Sequence, residues 1–186
     1  METVRPSSYS ESTSGGPGGT NGSFNEANMY DTDDTTSGAF LAASSTSAGG
    51  SPWVVTGTIG ASSWETRKKF WSSWVLKVKY YWIDSSNFAT PGGGHVKLEY
   101  TLDGGSNWFV IDGIDQDTTQ GTSSSATTST VFTGGPWVPS PLTNIRVRAT
   151  CTSNVGDGAN PGDGVGFFIY DVRLEGQETT NFFNMF

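Results

Sequence analysis

Cysteine occurs once in this chain of 186 residues, at Cys151, so no disulfide can form within it. Histidine also occurs once, at His95, so a Ser–His–Asp relay would have to use that residue. It follows three glycines and falls on the polar side of a strand pattern, the position of a surface histidine. Basic residues are scarce: ten Lys and Arg against 18 Asp and Glu give a formal charge of −8. An acidic surface repels phosphate backbones, so nucleic acid is not an expected partner. The one basic cluster, Arg67-Lys68-Lys69, reads as a solvated loop or edge. No run of about 18 apolar residues is present, which predicts no membrane span. The opening METVRPSSYSESTSGG lacks the apolar stretch of a secretory signal, so a chain made and kept in the cytoplasm, or leaving by a route other than the signal-peptide one, is expected. A phosphate-binding loop and a dinucleotide fingerprint are both missing. No apolar period of 3.6 residues runs for ten residues or more, which leaves little room for helix.

What the sequence has in abundance is glycine, serine, threonine and aromatics. The 25 glycines and a 13% aromatic fraction suit short strands joined by turns. Residues 1–52 differ from the rest, with Gly15-Gly16-Pro17-Gly18-Gly19, Ser/Thr clusters and few large apolar groups. Such a segment buries too little surface to offset its chain entropy and is expected to be an arm, flexible or extended along something else. From Trp53 the period is two. Leu76, Val78, Tyr80 and Trp82 share one face, as do Val96, Leu98, Tyr100 and Leu102. Ile145, Val147, Ala149 and Cys151 form a third apolar face, and Phe168, Tyr170, Val172 and Leu174 a fourth. Each run covers one side of a core. Weaker strands are expected at 53–59, 108–111 and 131–133, and a short helix at 62–71, where Ser63 could cap. Seven or eight antiparallel strands over about 130 residues predict an all-β sandwich, jelly-roll-like. The resulting division is an arm over 1–52, a β-sandwich over 53–176 and a tail over 177–186.

Within this frame, Thr101-Leu102-Asp103-Gly104-Gly105-Ser106-Asn107-Trp108 fits the pattern Ser/Thr-x-Asp-x-Gly-x-x-Trp and resembles the Asp-box of sialidases. In those propellers the motif recurs in several blades and lies away from the active site. Here it occurs once, in a chain too short for a propeller. Its expected role is a structural turn: Asp103 accepts main-chain N–H groups, Gly105 allows a positive φ, and Trp108 packs over the turn.

Catalytic sets do not emerge from the remaining residues. Glu99, Asp103, Asp112, Asp115 and Asp117 could supply a carboxylate pair for glycoside hydrolysis, but nothing in their spacing selects two of them. Cys151 alternates with core positions and reads as a small buried residue. Asn154, Asp157, Asn160 and Asp163 offer oxygen ligands in one glycine-rich loop, yet their spacing matches no EF-hand, and a turn is expected rather than a metal site. The chain is therefore expected to be no enzyme and to carry no cofactor. Trp64, Trp71 and Trp137 sit outside regular strand patterns and form a candidate sugar-stacking platform, with burial in the core as the competing reading.

The segment NEANMYDTDDTTSGAF resembles a recurrent opening of tailed-phage structural proteins, matching at Asn25, Asn28, Asp31, Asp33 and Thr36, with Met29 where alanine is usual. With VKLEYTLDGGSNW and GFFIYDVRLEG behind it, the stretch 25–176 looks like a virion jelly-roll module. The resemblance implies a capsid decoration or cement protein, residing in the virion and assembled in the host cytoplasm. Its implied partners are the major capsid protein or other virion subunits, and further copies of itself as a dimer or trimer. The tail NFFNMF supplies interface candidates in Phe182, Phe183, Met185 and Phe186. Burial of such side chains contributes about 1.5–3 kcal/mol each, on a neighbouring subunit or on the chain's own sandwich. A carbohydrate-binding module, or a phage tail or adhesin domain, is the alternative expectation.

Overall fold

The structure, a computed structural model, describes residues 1–15, 39–44, 53–68, 70–84, 94–119, 121–153 and 164–179. Among these residues ten strands follow in order: β1 (Glu2–Val4), β2 (Pro6–Gly15), β3 (Ala39–Ser44), β4 (Trp53–Trp64), β5 (Trp71–Asp84), β6 (Gly94–Thr101), β7 (Phe109–Thr118), β8 (Thr127–Gly134), β9 (Arg146–Ser153) and β10 (Gly164–Glu178). All pairings are antiparallel, and they build two sheets. One sheet has the order β1-β10-β5-β8, with β3 also on β10; the other has β2-β4-β9-β6-β7. Among the described strands, consecutive ones cross between sheets except β6 and β7, which pair directly. The chain is an all-β sandwich of two antiparallel sheets.

The alternation read from the sequence places most of the core. Leu76, Val78, Tyr80 and Trp82 of β5 are buried, as are Val96, Leu98 and Tyr100 of β6 and Val147, Ala149 and Cys151 of β9. Apolar groups removed from water on two facing sheets supply the main stabilisation, at about 25 cal/mol per Å².

In β10 the expected face holds only for the second half. Val172 and Leu174 are buried, but upstream the buried residues are Phe167 and Ile169, not Phe168 and Tyr170. The register against β5 shifts between Ile169 and Asp171, so an extra residue at Tyr170 exchanges the two faces. Phe168 therefore lies on the outer face against Tyr81, with ring centroids 5.5 Å apart, and Tyr170 lies under the Lys79 ammonium.

Two other expectations are corrected. Residues 62–71 form no helix: 62–64 end β4, and Trp71 starts β5. The intervening stretch is tied to the N-terminus by two hydrogen bonds, since Glu65 N–H donates to the Arg5 carbonyl and Arg5 N–H donates to the Glu65 side-chain Oε2, each at 2.9 Å. Pairing of Ser63 and Trp64 with β2, continued by these bonds, keeps the chain extended where a helix would need it coiled. The segment 1–52 is not wholly an arm either, for β1, β2 and β3 all lie in it and pair with β10 or β4. Main-chain pairing and the burial of Val4 supply what its composition lacks.

Candidate functional site

The turn after β6 is built from the Asp103 carboxylate. Its Oδ1 accepts the Thr101 hydroxyl at 2.7 Å and the N–H groups of Ser106 and Asn107 at 2.9 and 3.0 Å, while Oδ2 accepts the Asn107 side-chain amide at 2.7 Å. Four donors, the Thr101 hydroxyl first among them, hold the carboxyl well below the usual carboxylate range. Gly104 and Gly105 take φ values of 77° and 107°, and a Cβ at Gly105 would rest against the Trp108 indole. The motif is a turn, with every polar group of Asp103 turned inward on its own loop.

Trp108 then leads across the outer face of the second sheet. The Arg148 guanidinium lies 4.0 Å from its ring centroid and reaches Glu99 at 2.7 Å. Lys97 links Glu99 and Asp115 at 3.4 and 3.0 Å. His95 closes the row, with Nε2 2.9 Å from Asp115 Oδ1 and Nδ1 3.0 Å from Asp117 Oδ1. Glu99, expected to face out, does so and is nonetheless only 6% exposed, because the Arg148 and Lys97 stems cover it. Burial alone would lower the His95 pKa, but the hydrogen bonds to Asp117 and Asp115 outweigh it and raise the value. The two ring nitrogens face different carboxylates on opposite sides of the imidazole, so His95, Asp115 and Asp117 do not converge on one cation. Among the described residues no three His, Cys, Asp or Glu groups meet as a metal would require.

The edge strand β7 carries a second feature that sequence reasoning passed over. Its register on β6 moves from Lys97↔Asp115 to Glu99↔Val110, so residues 111–114 stand opposite Leu98 alone. Asp112 and Gly113 both have positive φ, 50° and 71°. Here Asp112 Oδ2 accepts the Tyr80 hydroxyl at 2.7 Å and the Ser129 hydroxyl, both from the other sheet. Burial first, and then the hydrogen bond to this carboxylate, pushes the Tyr80 pKa up to about 12. The Asp-Gly pair in FVIDGIDQDT was the available signal, since that dipeptide favours two consecutive positive φ values. Nothing local in the sequence pointed to Tyr80 or Ser129 as its partners.

The three candidate tryptophans do not form a platform. Trp71 is 2% exposed, and its indole N–H donates to Glu2 Oε2 at 2.8 Å, so it belongs to the core and is withdrawn as a sugar contact. Trp64 is half-buried against the core. Trp137 is open, 86% exposed, and its carbonyl accepts the Trp74 indole N–H at 3.1 Å. From Trp74 a row of rings continues through Phe132 at 5.1 Å and Tyr100 at 6.4 Å to Phe109 at 5.5 Å. At its end, in β7, Phe109 is 53% and Val110 39% exposed. A cleft of about 590 Å³ lies between β1 and residues 65–68, but its carboxylates, Glu2 and Glu65, already accept the N–H groups of Lys68 and Arg5.

Cys151 is fully buried, which raises its thiol pKa and removes it from chemistry. Of the basic cluster, Lys68 is exposed and Arg67 lies over the Trp71 ring at 5.4 Å. Phe182, Phe183, Met185 and Phe186 lie outside the described residues, as do Asn154, Asp157, Asn160 and Asp163 and the positions 25–36 that resemble the phage opening. Among the described residues no helix is long and apolar enough to cross a membrane.

No protein-family model matches the chain, and neither does any curated protein. Among solved structures, the C-terminal domain of a chitobiase from Bacteroides fragilis aligns over 96% of this chain and 100% of that one, at 13% identity and a TM-score of 0.35.

Proposed function

We propose that the chain is a non-enzymatic structural protein of a tailed-phage virion, a jelly-roll body that decorates or cements the capsid. The strand orders β3-β10-β5-β8 and β4-β9-β6-β7 support the jelly-roll reading, since eight strands in two Greek keys give these neighbours. The observation that carries the attachment role is β7. Among the described strands it pairs with β6 alone, so its other edge is open, and its residues Phe109 and Val110 are exposed to solvent. Soluble monomers blunt such edges with charge, and β7 does so only beyond Ile111. Its partner is a neighbouring virion subunit, either the major capsid protein or another copy of this chain in a dimer or trimer. The apolar tail adds a second, independent attachment, and two weak contacts on one shell multiply in effect.

Mass spectrometry of purified particles should find the chain in fixed stoichiometry. Co-sedimentation with shells should weaken on Phe109→Ser with Val110→Thr, and further on deletion of residues 181–186. Absence from particles, or undiminished sedimentation of both variants, sinks the proposal.

Trp137 favours a second reading, a carbohydrate-binding module, because so open an indole is suited to stacking on a sugar ring. That reading requires a saccharide that shifts tryptophan emission in the wild type and leaves Trp137→Ala unchanged.

A further inference from the structure

We infer that His95 is a proton-dependent latch holding the outer half of the edge strand β7 onto β6. The argument begins with ring stereochemistry. Nδ1 and Nε2 each lie within 3.0 Å of a carboxylate oxygen, Asp117 Oδ1 and Asp115 Oδ1. A carboxylate accepts and does not donate, whereas neutral imidazole donates from one nitrogen only. The imidazolium alone satisfies both contacts, so loss of one proton sets a nitrogen lone pair against a carboxylate. The arrangement is therefore complete in one protonation state and broken in the other.

The position of the ring gives this consequence. His95 opposes Asp117 in the β6–β7 register, and Asp115 opposes Lys97. These pairs lie beyond the bulge at 111–114, so the segment 114–118 has been separated by that irregularity from the regular pairing at 109–110. On its free side β7 has no strand among those described. The outer half of β7 is thus held by a short ladder, by the Lys97–Asp115 pair at 3.0 Å, by the burial of Ile114 and Thr118, by the Thr118 hydroxyl donating to Asp84 of β5 at 2.6 Å, and by His95. Groups of low local stability of this kind open independently of the whole.

Among the described residues the charged groups around the ring are few. From β7 it meets Asp115 and Asp117, and on its own strand Lys97 stands two residues away. From β9 it meets Thr152 in register, with no titratable group at that position. Glu99 and Arg148 pair with each other farther along the row, and through Lys97 they share Asp115. Lys97 stays charged throughout the range in which histidine titrates, so His95 is the member of the row whose charge changes near neutrality.

The sign follows from the direction of the shift. The folded-state pKa is raised, so the latch is fully engaged below the unfolded value of about 6.5 and is released as pH rises through the folded value. This inference does not depend on which partner meets β7, although any partner that pairs with this edge would meet a strand with a pH-dependent hold.

The test uses the full chain, with amide hydrogen exchange of residues 114–118 compared between wild type and His95→Gln at matched pH, so that intrinsic exchange cancels. Wild type should be protected roughly two- to fivefold more at pH 5, the range of a modest ion pair, with the ratio approaching one by pH 9. In parallel, an NMR titration of the imidazole should show both nitrogens protonated above pH 6.5, and Asp115→Asn and Asp117→Asn should each lower the midpoint. A protection ratio that stays constant from pH 5 to 9 overturns the latch, as does a midpoint at or below 6.5.

Discussion

Tyr80 on one sheet donates its phenolic hydrogen to Asp112 on the other, across 2.7 Å, at the point where β7 folds through two consecutive positive φ angles. Ser129 donates to the same carboxylate oxygen, so β5 and β8 together hold the kink of β7 from across the core. Tyr80→Phe keeps the packing and removes one donor from a carboxylate held in an unfavourable conformation. Urea denaturation should show a loss of about 1–2 kcal/mol. The Tyr80 pKa is raised to about 12, so its contribution is intact below the unfolded value of about 10 and fades as pH rises through the folded one. The gap between wild type and Tyr80→Phe should therefore close in strong alkali. A gap of the same size at all pH values would assign the loss to packing alone.

Two glycines are required by tryptophans rather than by turns. A Cβ at Gly134 would sit 2.4 Å from the Trp74 indole, and one at Gly176 would sit 1.9 Å from that of Trp71. Both rings are buried and cannot swing aside as a flexible chain end would. Gly134→Ala and Gly176→Ala should each cost about 1–3 kcal/mol or more in thermal or urea unfolding. Gly135→Ala is the control, because a Cβ there meets nothing within 4 Å.

How legible this was in the sequence depends on whether a residue's place is set by its neighbours in the chain. The alternation of Leu76, Val78, Tyr80 and Trp82 is a local property of an extended backbone, and it put those side chains in the core before any partner was known. The Asp103 turn was legible for the same reason, since all four donors come from residues 101–107. The face exchange in β10 was hidden because an extra residue at Tyr170 is defined by the register of β5, ninety positions away. Trp71 looked available because nothing nearby announces that Glu2 will receive its N–H. Likewise the bond from Arg148 to Glu99 spans 49 residues.

That long-range bond makes a prediction of its own. Arg148 covers a carboxylate that is 6% exposed and stacks on Trp108, so it serves both the charged row and the turn. Arg148→Met preserves the stem and removes the donors, leaving Glu99 with Lys97 at 3.4 Å. The expected loss is about 1–3 kcal/mol, with a change in Trp108 emission. Arg148→Lys should recover only part of it, because an ammonium cannot both fork onto the carboxylate and lie flat on an indole. Full recovery by lysine would reduce the contact to simple charge.

Acid should find the turn as well as the ion pairs. The Asp103 carboxyl is held below its ordinary value by the Thr101 hydroxyl first, and then by Asn107 and Ser106. A depressed folded-state pKa means a contribution that is present above the unfolded value of about 3.9 and lost as pH falls through the folded one. Asp115 shifts in the same direction through Lys97 and His95, so the two add over a shared window. Asp103→Asn keeps the shape but replaces one acceptor oxygen with a donor among groups that already donate. The variant should unfold more readily than wild type at pH 7, and its stability should depend less on pH below about 4. If instead both proteins lose stability in parallel between pH 4 and pH 2, the carboxylate of the turn does not carry the charge-assisted bonds that its geometry gives it.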